Sequence, residues 1–255
     1  MFRIVFLMFL PFITAAQTRF AKLVIEPNQT YHIKSSDILV ADTLIMMDSS
    51  TIILNSTKKE NFIRAKVAMF GNNTIIKGRG INGLEGKNGS KVRSPLGPCK
   101  DGYRALDGAR GTNGASGVKL YLYLDNMIVN GSLIIDLAGG NGGDGGDGGP
   151  GGDGSPGTRH CNGGDGARGG KGGPGGNGGN GGEVIFVSRE KEKIRQMIGY
   201  QIAVNILGGN SGYGGLSGYG GSAGLGPSGK NGKAGAQGED GARGQPGHNG
   251  RIQFE

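Results

Sequence analysis

Fourteen of the fifteen positions at intervals of three between Gly139 and Gly181 are glycine, and only His160 interrupts the series. A flexible tether has no reason to keep such a register. A polyproline-II helix does, because it has three residues per turn and stacks every third residue on one ridge. That helix makes no internal hydrogen bonds, so each amide needs water or a neighbouring chain. Where glycine bares a ridge, another backbone can approach to bonding distance. The entropy lost, roughly 0.5 to 1 kcal/mol per glycine relative to alanine, then has to be offset by interstrand amide bonds worth about 0.5 to 1.5 kcal/mol each.

The same period recurs elsewhere. Gly80, Gly83, Gly86 and Gly89 share one register, and Gly102, Gly108, Gly111, Gly114 and Gly117 share another, with Ala105 in its one filled slot. Gly209 to Gly224 keep a third register, and Gly226 to Gly250 keep a fourth without a miss. Between the registers lie Ser94-Pro95, Gly97-Pro98, Ser155-Pro156-Gly157 and Gly226-Pro227-Ser228, all chain-reversing sequences. Three out-and-back hairpins follow: 80 to 89 with 102 to 117, 139 to 157 with 163 to 182, and 209 to 224 with 226 to 250. The middle pair is mostly Gly-Gly-X, with two bare ridges, and belongs at the centre of a bundle. The Gly-X-X arms 102 to 117 and 226 to 250 belong at its edges. Asn141, Asp144, Asp147, Asp153, Asp165, Lys171, Asn177 and Asn180 are then expected to point outward.

Short β-branched or alternating runs flank every hairpin: Asn73 to Ile76, Val118 to Leu124, Leu133 to Leu137, Val184 to Val187, Ala203 to Leu207 and Ile252 to Phe254. Ahead of them, Phe20 to Ile25, Ile38 to Ala41, Leu44 to Met47, Thr51 to Leu54 and Lys66 to Phe70 read as strands between polar turns, which suits solenoid coils or a small sandwich. Ser188 to Met197 is the one expected helix. The fold class expected is mainly β: a parallel β-solenoid-like stack of short strands with three inserted hairpins of polyproline or polyglycine-II helices forming a bundle. Its divisions are a signal peptide at 1–16, a solenoid-like segment at 17–79, and a glycine-rich bundle at 80–255 with strands interleaved at 118–138, 183–207 and 251–254.

Met1 to Arg3, the apolar run Ile4 to Ile13 and Thr14-Ala15-Ala16 follow the pattern of a secretory signal, with cleavage expected after Ala16. No later stretch is apolar and long enough to span a bilayer, so a secreted or cell-surface protein is expected. The net charge is +8, and loss of Arg3 leaves 27 basic against 20 acidic side chains. That balance suits anionic partners such as polysaccharide, lipid headgroups or nucleic acid, while its dispersal along the chain equally suits the solubility of a glycine-rich surface. The partner expected is an anionic cell-surface polysaccharide or a surface protein assembly, and not nucleic acid. Two cysteines in an exported chain imply a disulfide. Cys99 lies in the break of the first hairpin and Cys161 in that of the second, so side-by-side hairpins bring both thiols to one end and pair them.

Catalysis is not expected. His32, His160 and His248 are scattered, glycine strings of the phosphate-loop type arise here from composition alone, and His160 beside Cys161 lacks further metal ligands. No cofactor or metal is expected. The distal turns instead gather Lys91, Arg93, Lys100, Tyr103, Arg159 and His160, a basic, aromatic-edged tip suited to an anionic glycan. Tyr213 and Tyr219 share a ridge about 19 Å apart along it, as contact residues or packed against the strands or a neighbouring arm.

The segment Gly71-Asn72-Asn73-Thr74-Ile75-Ile76-Lys77-Gly78-Arg79-Gly80 resembles coils of right-handed parallel β-helix proteins such as pectate lyases, without the acidic calcium ligands and basic residue such an enzyme uses. Across residues 80 to 250, the glycine arms with sharp reversals resemble the polyglycine-II bundles of springtail antifreeze proteins and of the tip adhesins of T-even phage tail fibres. That resemblance implies six polyglycine-II strands, and either ice binding or receptor binding at the distal loops. Ice binding calls for a flat lattice of Thr or Ala, whereas the arms carry Asp, Asn, Lys and Arg. Gly226 to Gly250 also resembles a bacterial collagen-like repeat, which implies trimerisation, but the registers are short and the whole chain holds nine prolines. The function expected is a non-enzymatic structural or adhesive module, with collagen-like trimer and ice-binding protein as the alternatives.

Overall fold

The computed structural model describes residues 19–33 and 37–255, and the expected signal peptide and its cleavage site lie outside them. The chain alternates between two parallel sheets, as a solenoid coil must. Strands β1 (Arg19–Ile25), β3 (Ile38–Met46), β5 (Glu60–Phe70), β7 (Lys119–Val129), β9 (Glu183–Val187) and β11 (Arg251–Phe254) form one sheet in that order. Strands β2 (Thr30–His32), β4 (Thr51–Ile53), β6 (Thr74–Lys77), β8 (Leu133–Asp136) and β10 (Ile202–Asn205) form the other. The strands after each glycine segment therefore continue the sheets begun by residues 19 to 77. Inward-facing Leu44, Met46, Ile52, Ile63, Phe70, Ile76, Leu120, Leu122, Leu133 and Phe186 fill the space between the sheets, and Ile194 of helix α1 (Lys191–Met197) joins this core.

Several strands run further than hydrophobic alternation suggests. β5 begins at Glu60 and β7 continues to Val129, because Glu60, Arg64, Lys66, Asp125 and Asn126 point to solvent while their neighbours Ile63, Ala65 and Met127 stay buried. Ile38–Met46 is one strand although Asp42-Thr43 interrupts its apolar run. The ladder steps over Asp42, Lys66 and Asp125, which are stacked coil upon coil, and alternation changes phase there. β2 is three residues long, too short to carry a period.

Residues 78–118, 137–182 and 206–250 leave the coils as out-and-back excursions. Their arms, first to sixth, are 78–90, 101–118, 138–157, 161–182, 206–226 and 230–250. Backbone bonds recur at every third residue. In the outbound layer Gly83 N–H donates to Asn141 O, and Gly142 N–H to Asn210 O, so the first, third and fifth arms run parallel. In the returning layer Gly111 N–H donates to Pro174 O and Gly175 N–H to Ala242 O, joining the second, fourth and sixth arms. Antiparallel bonds join the layers, as from Gly143 N–H to Thr112 O, Gly176 N–H to Gly143 O and Gly212 N–H to Gly176 O.

The third arm is bonded to the first, second, fourth and fifth, and the fourth arm to the second, third, fifth and sixth, so the Gly-Gly-X arms occupy the centre. Close approach is the reason for glycine there: a methyl on Gly143 would overlap the Leu84 carbonyl oxygen, and one on Gly176 that of Thr112. At Ala105 the amide reaches Arg168 O at 3.5 Å, against 2.8 Å for Gly102 and Gly108 on either side.

The X residues of the inner arms do more than face water. Asn141, Asp144, Asp147 and Asp153 accept, through Oδ1, the backbone N–H groups of Asn210, Tyr213, Leu216 and Ser222 at 2.7 to 2.9 Å. In the returning layer Asp165, Asn177 and Asn180 do the same for Lys233, Gln245 and His248. Amides that have no backbone partner are thus satisfied by a short side chain of the next arm. At the C-terminal flank the sixth arm reaches back: Asn249 accepts from Gly208 N–H, Asp240 from Ser217 N–H, and Arg243 donates to Ser211 Oγ.

Candidate functional site

At the far end of the arms a disulfide joins Cys99 to Cys161, with Cα atoms 6.0 Å apart. Cys99 N–H donates to Pro156 O and Ser155 N–H to Lys100 O, so the first two excursions meet at their tips. Lys100 and His160, each next to a half-cystine, flank this cross-link, and both are exposed, as are Arg93 and Arg159. Lys91 is paired with Asp153 at 3.4 Å. Tyr103, 53% exposed, accepts the Gly152 amide through its carbonyl. Among these side chains Lys91 is already partnered.

Tyr213 and Tyr219 are 61% and 75% exposed. Tyr213 meets the Arg243 guanidinium of the sixth arm, 4.5 Å from its ring centre.

A second surface was not read from the sequence. On the outer face of the six-stranded sheet, the register stacks Arg19, Val40, Arg64, Tyr123 and Val187 in one row. Beside it the rings of Phe62 and Tyr121 stack at 4.9 Å, and those of Tyr121 and Tyr123 at 6.1 Å. Where the ladder steps over Asp42, Lys66 and Asp125, the face hollows into a cavity of about 480 Å³ lined by Arg19, Asp42, Phe62, Arg64, Lys66 and Tyr123 among others. A second cavity of about 610 Å³ continues it, sharing Arg64, Tyr123 and Asp125 and adding Arg189, Lys191 and Glu255. Crossing from β1 to β9, the groove is roughly 19 Å long at about 4.8 Å per strand.

The groove's charges are organised. Hydrogen bonds from Arg19 at 2.6 Å and Lys66 at 3.0 Å hold the Asp42 carboxyl below the ordinary carboxylate range. At its border Glu60, Lys119, Glu183 and Arg251 alternate in sign across four strands, with ion pairs of 3.8, 3.5 and 2.6 Å. Lys119 also lies 4.9 Å from the Tyr121 ring centre, and its ammonium is held above its usual range by Tyr121 and then by the Glu183 charge. Planar rings beside guanidinium groups offer stacking and two-pronged hydrogen bonding to a ligand carrying hydroxyls and carboxylates. The sequence signal was present as Tyr121-x-Tyr123 opposite Phe62-x-Arg64, but only coil register makes neighbours of residues about 60 apart.

Among the described residues, no cluster of three or more His, Cys, Asp or Glu side chains could hold a metal ion, and no helix is long and apolar enough to cross a membrane. No family model matches the chain, and no curated protein matches it. Among solved structures, it is similar to the nine-helix polyproline type II bundle antifreeze protein of the springtail Granisotoma rainieri, with 22% identity over 70% of this chain and 95% of that one, at a TM-score of 0.13.

Proposed function

We propose that the protein is a secreted or cell-surface, non-enzymatic structural and adhesive module, in which six polyglycine-II arms form a rigid slab attached to a β-solenoid. The observation that carries this reading is the three-residue ladder, which satisfies arm amides within one chain at 2.6 to 3.5 Å. A collagen trimer would share those amides among three chains. Strong protection from hydrogen exchange across residues 139 to 182 of the oxidised protein is the expected result. Fast exchange throughout that span, or an obligate trimer in solution, overturns the slab.

The tip is the proposed adhesive contact, with Arg93, Lys100 and Arg159 offering cations, and His160 a polar ring, to an anionic glycan. Binding on a glycan array should fall at least about tenfold in Arg93→Ala with Arg159→Ala, a loss typical of charge-assisted contacts. Binding that survives both changes removes the tip.

The stacked rings and basic rim favour a second contact, in which an extended anionic glycan lies along the groove of the six-stranded sheet. Arg64→Ala with Tyr123→Ala separates the two surfaces, because neither residue is near the tip. Loss of binding in this variant alone assigns the groove, and unchanged binding excludes it.

A further inference from the structure

The fifth arm presents one ridge to solvent: Leu207, Asn210, Tyr213, Leu216, Tyr219, Ser222 and Leu225, every one exposed. Its five large side chains are 59%, 61%, 68%, 75% and 72% exposed in order. A run of apolar groups on one line, roughly 56 Å at about 3.1 Å per residue, is more than the scattered exposure a solitary soluble protein shows.

The order of residues along that ridge reads nearly the same in both directions from Leu216. Turned about a two-fold axis through Leu216 and across the arms, Leu207 falls on Leu225, Asn210 on Ser222, Tyr213 on Tyr219, and Leu216 on its own copy. Self-complementarity of this kind is what a two-fold interface between identical chains requires.

The neighbouring arms can be read by the same operation, because side-chain bonds fix their alignment: Asn82 with Asn141 and Asn210, and Asn88 with Asp147 and Leu216. Glu85 of the first arm then falls on Lys91, just past the end of that arm in the second copy, an opposite pair beside the bond from Lys91 to its own Asp153. On the third arm Asp153 meets Asn141, and Asp144 meets Pro150. One like-charged meeting remains, Asp147 against itself. Two outbound arms of roughly 56 Å and a first arm of roughly 37 Å, spaced about 4.8 Å apart, make a face on the order of 700 Å² per partner, within the range of a standard stable interface.

We propose that the outbound face pairs with a second copy of this chain, antiparallel, with Leu216 at the two-fold axis. The inference rests on the polyglycine-II reading of the arms, which sets the three-residue ridge. In the dimer the disulfide-linked tips lie at opposite ends, so two copies of any tip contact face away from each other.

The test is the shape-independent molar mass from light scattering on the full oxidised chain, with hydrogen exchange over residues 139 to 182 as a separate check of the slab. Wild type should be a dimer, and Leu216→Asp should weaken it by about 100-fold or more, as facing like charges do at an interface. Leu216→Lys should also be monomeric, while an equimolar mixture of the two variants should restore dimers. Asp147→Asn keeps the acceptor for the Leu216 amide and removes the one repulsion, so it should tighten association. Wild type that is monomeric at about 100 µM overturns the proposal, and so does a dimer that none of these changes shifts. Fast exchange in wild type defeats the slab itself, a failure distinct from a protected slab that stays monomeric.

Discussion

Asp153 accepts the backbone N–H of Ser222 through Oδ1 at 2.8 Å, across 69 residues of sequence. A surface carboxylate thereby does what a carbonyl does inside a sheet. That amide, ahead of the Lys91 charge, holds the Asp153 carboxyl below its ordinary value. The same bond at Asn141, Asp144 and Asp147 explains why both Asp and Asn occur on this ridge: either offers the required oxygen.

Asp153→Asn should therefore be close to neutral, whereas Asp153→Ala should lose about 0.5 to 1 kcal/mol, the low end for a hydrogen bond because the carboxylate is partly exposed. Denaturant midpoints of the two variants provide the measurement. Equal midpoints would mean that the acceptor oxygen is irrelevant.

Acid should loosen the returning layer. Glu239, bonded first by Lys171 at 2.7 Å and then by Arg168 at 2.8 Å, is lowered from 4.5 to about 2. A carboxyl whose pKa is lower when folded contributes fully above its unfolded value and loses that contribution as pH falls through the folded one. The window is thus from about pH 4.5 down to about 2. Glu239→Gln should flatten the fall of the thermal midpoint in this window; an unchanged pH profile would show that the pair contributes nothing.

Gly176→Ala should destabilise by about 1 to 3 kcal/mol, the usual penalty for forcing a methyl into a filled interior. The methyl meets the Thr112 carbonyl oxygen, and the Gly176 amide must leave its 2.8 Å bond to Gly143. Hydrogen exchange should accelerate at Gly143 and Gly176 together. Retention of wild-type protection at both would contradict the close approach.

Reduction of Cys99–Cys161, separated by 62 residues, should remove about 4 kcal/mol on the chain-entropy account. Exchange should quicken first near residues 91 to 101 and 155 to 163, while Gly139 and Gly142, next to β8, stay protected. Uniform loss of protection from tip to base would show that the cross-link holds the whole slab.

The arms were legible in the sequence because steric exclusion leaves a direct mark: glycine where a backbone must touch. The disulfide followed from the position of Cys99 and Cys161 in the breaks. The lengths of β5 and β7 were hidden because Glu60, Arg64 and Asp125 sit on the solvent face, where apolar periodicity says nothing. The groove was hidden for another reason: Arg64 and Tyr123 become neighbours only through the coil register. The acceptor role of Asp144 was unreadable, since a carboxylate on an outer ridge looks the same whether or not an amide lies beneath it.

Along the C-terminal flank the fifth arm's Gly208, Ser217 and Ser211 are bonded by side chains of the sixth arm, Asn249, Asp240 and Arg243. A stack built from identical backbone ladders has no intrinsic last member, so its width has to be written in side chains. Here side chains cover that flank of the fifth arm, and replacing those three sixth-arm residues with glycine or alanine would bare amides that another backbone could bond.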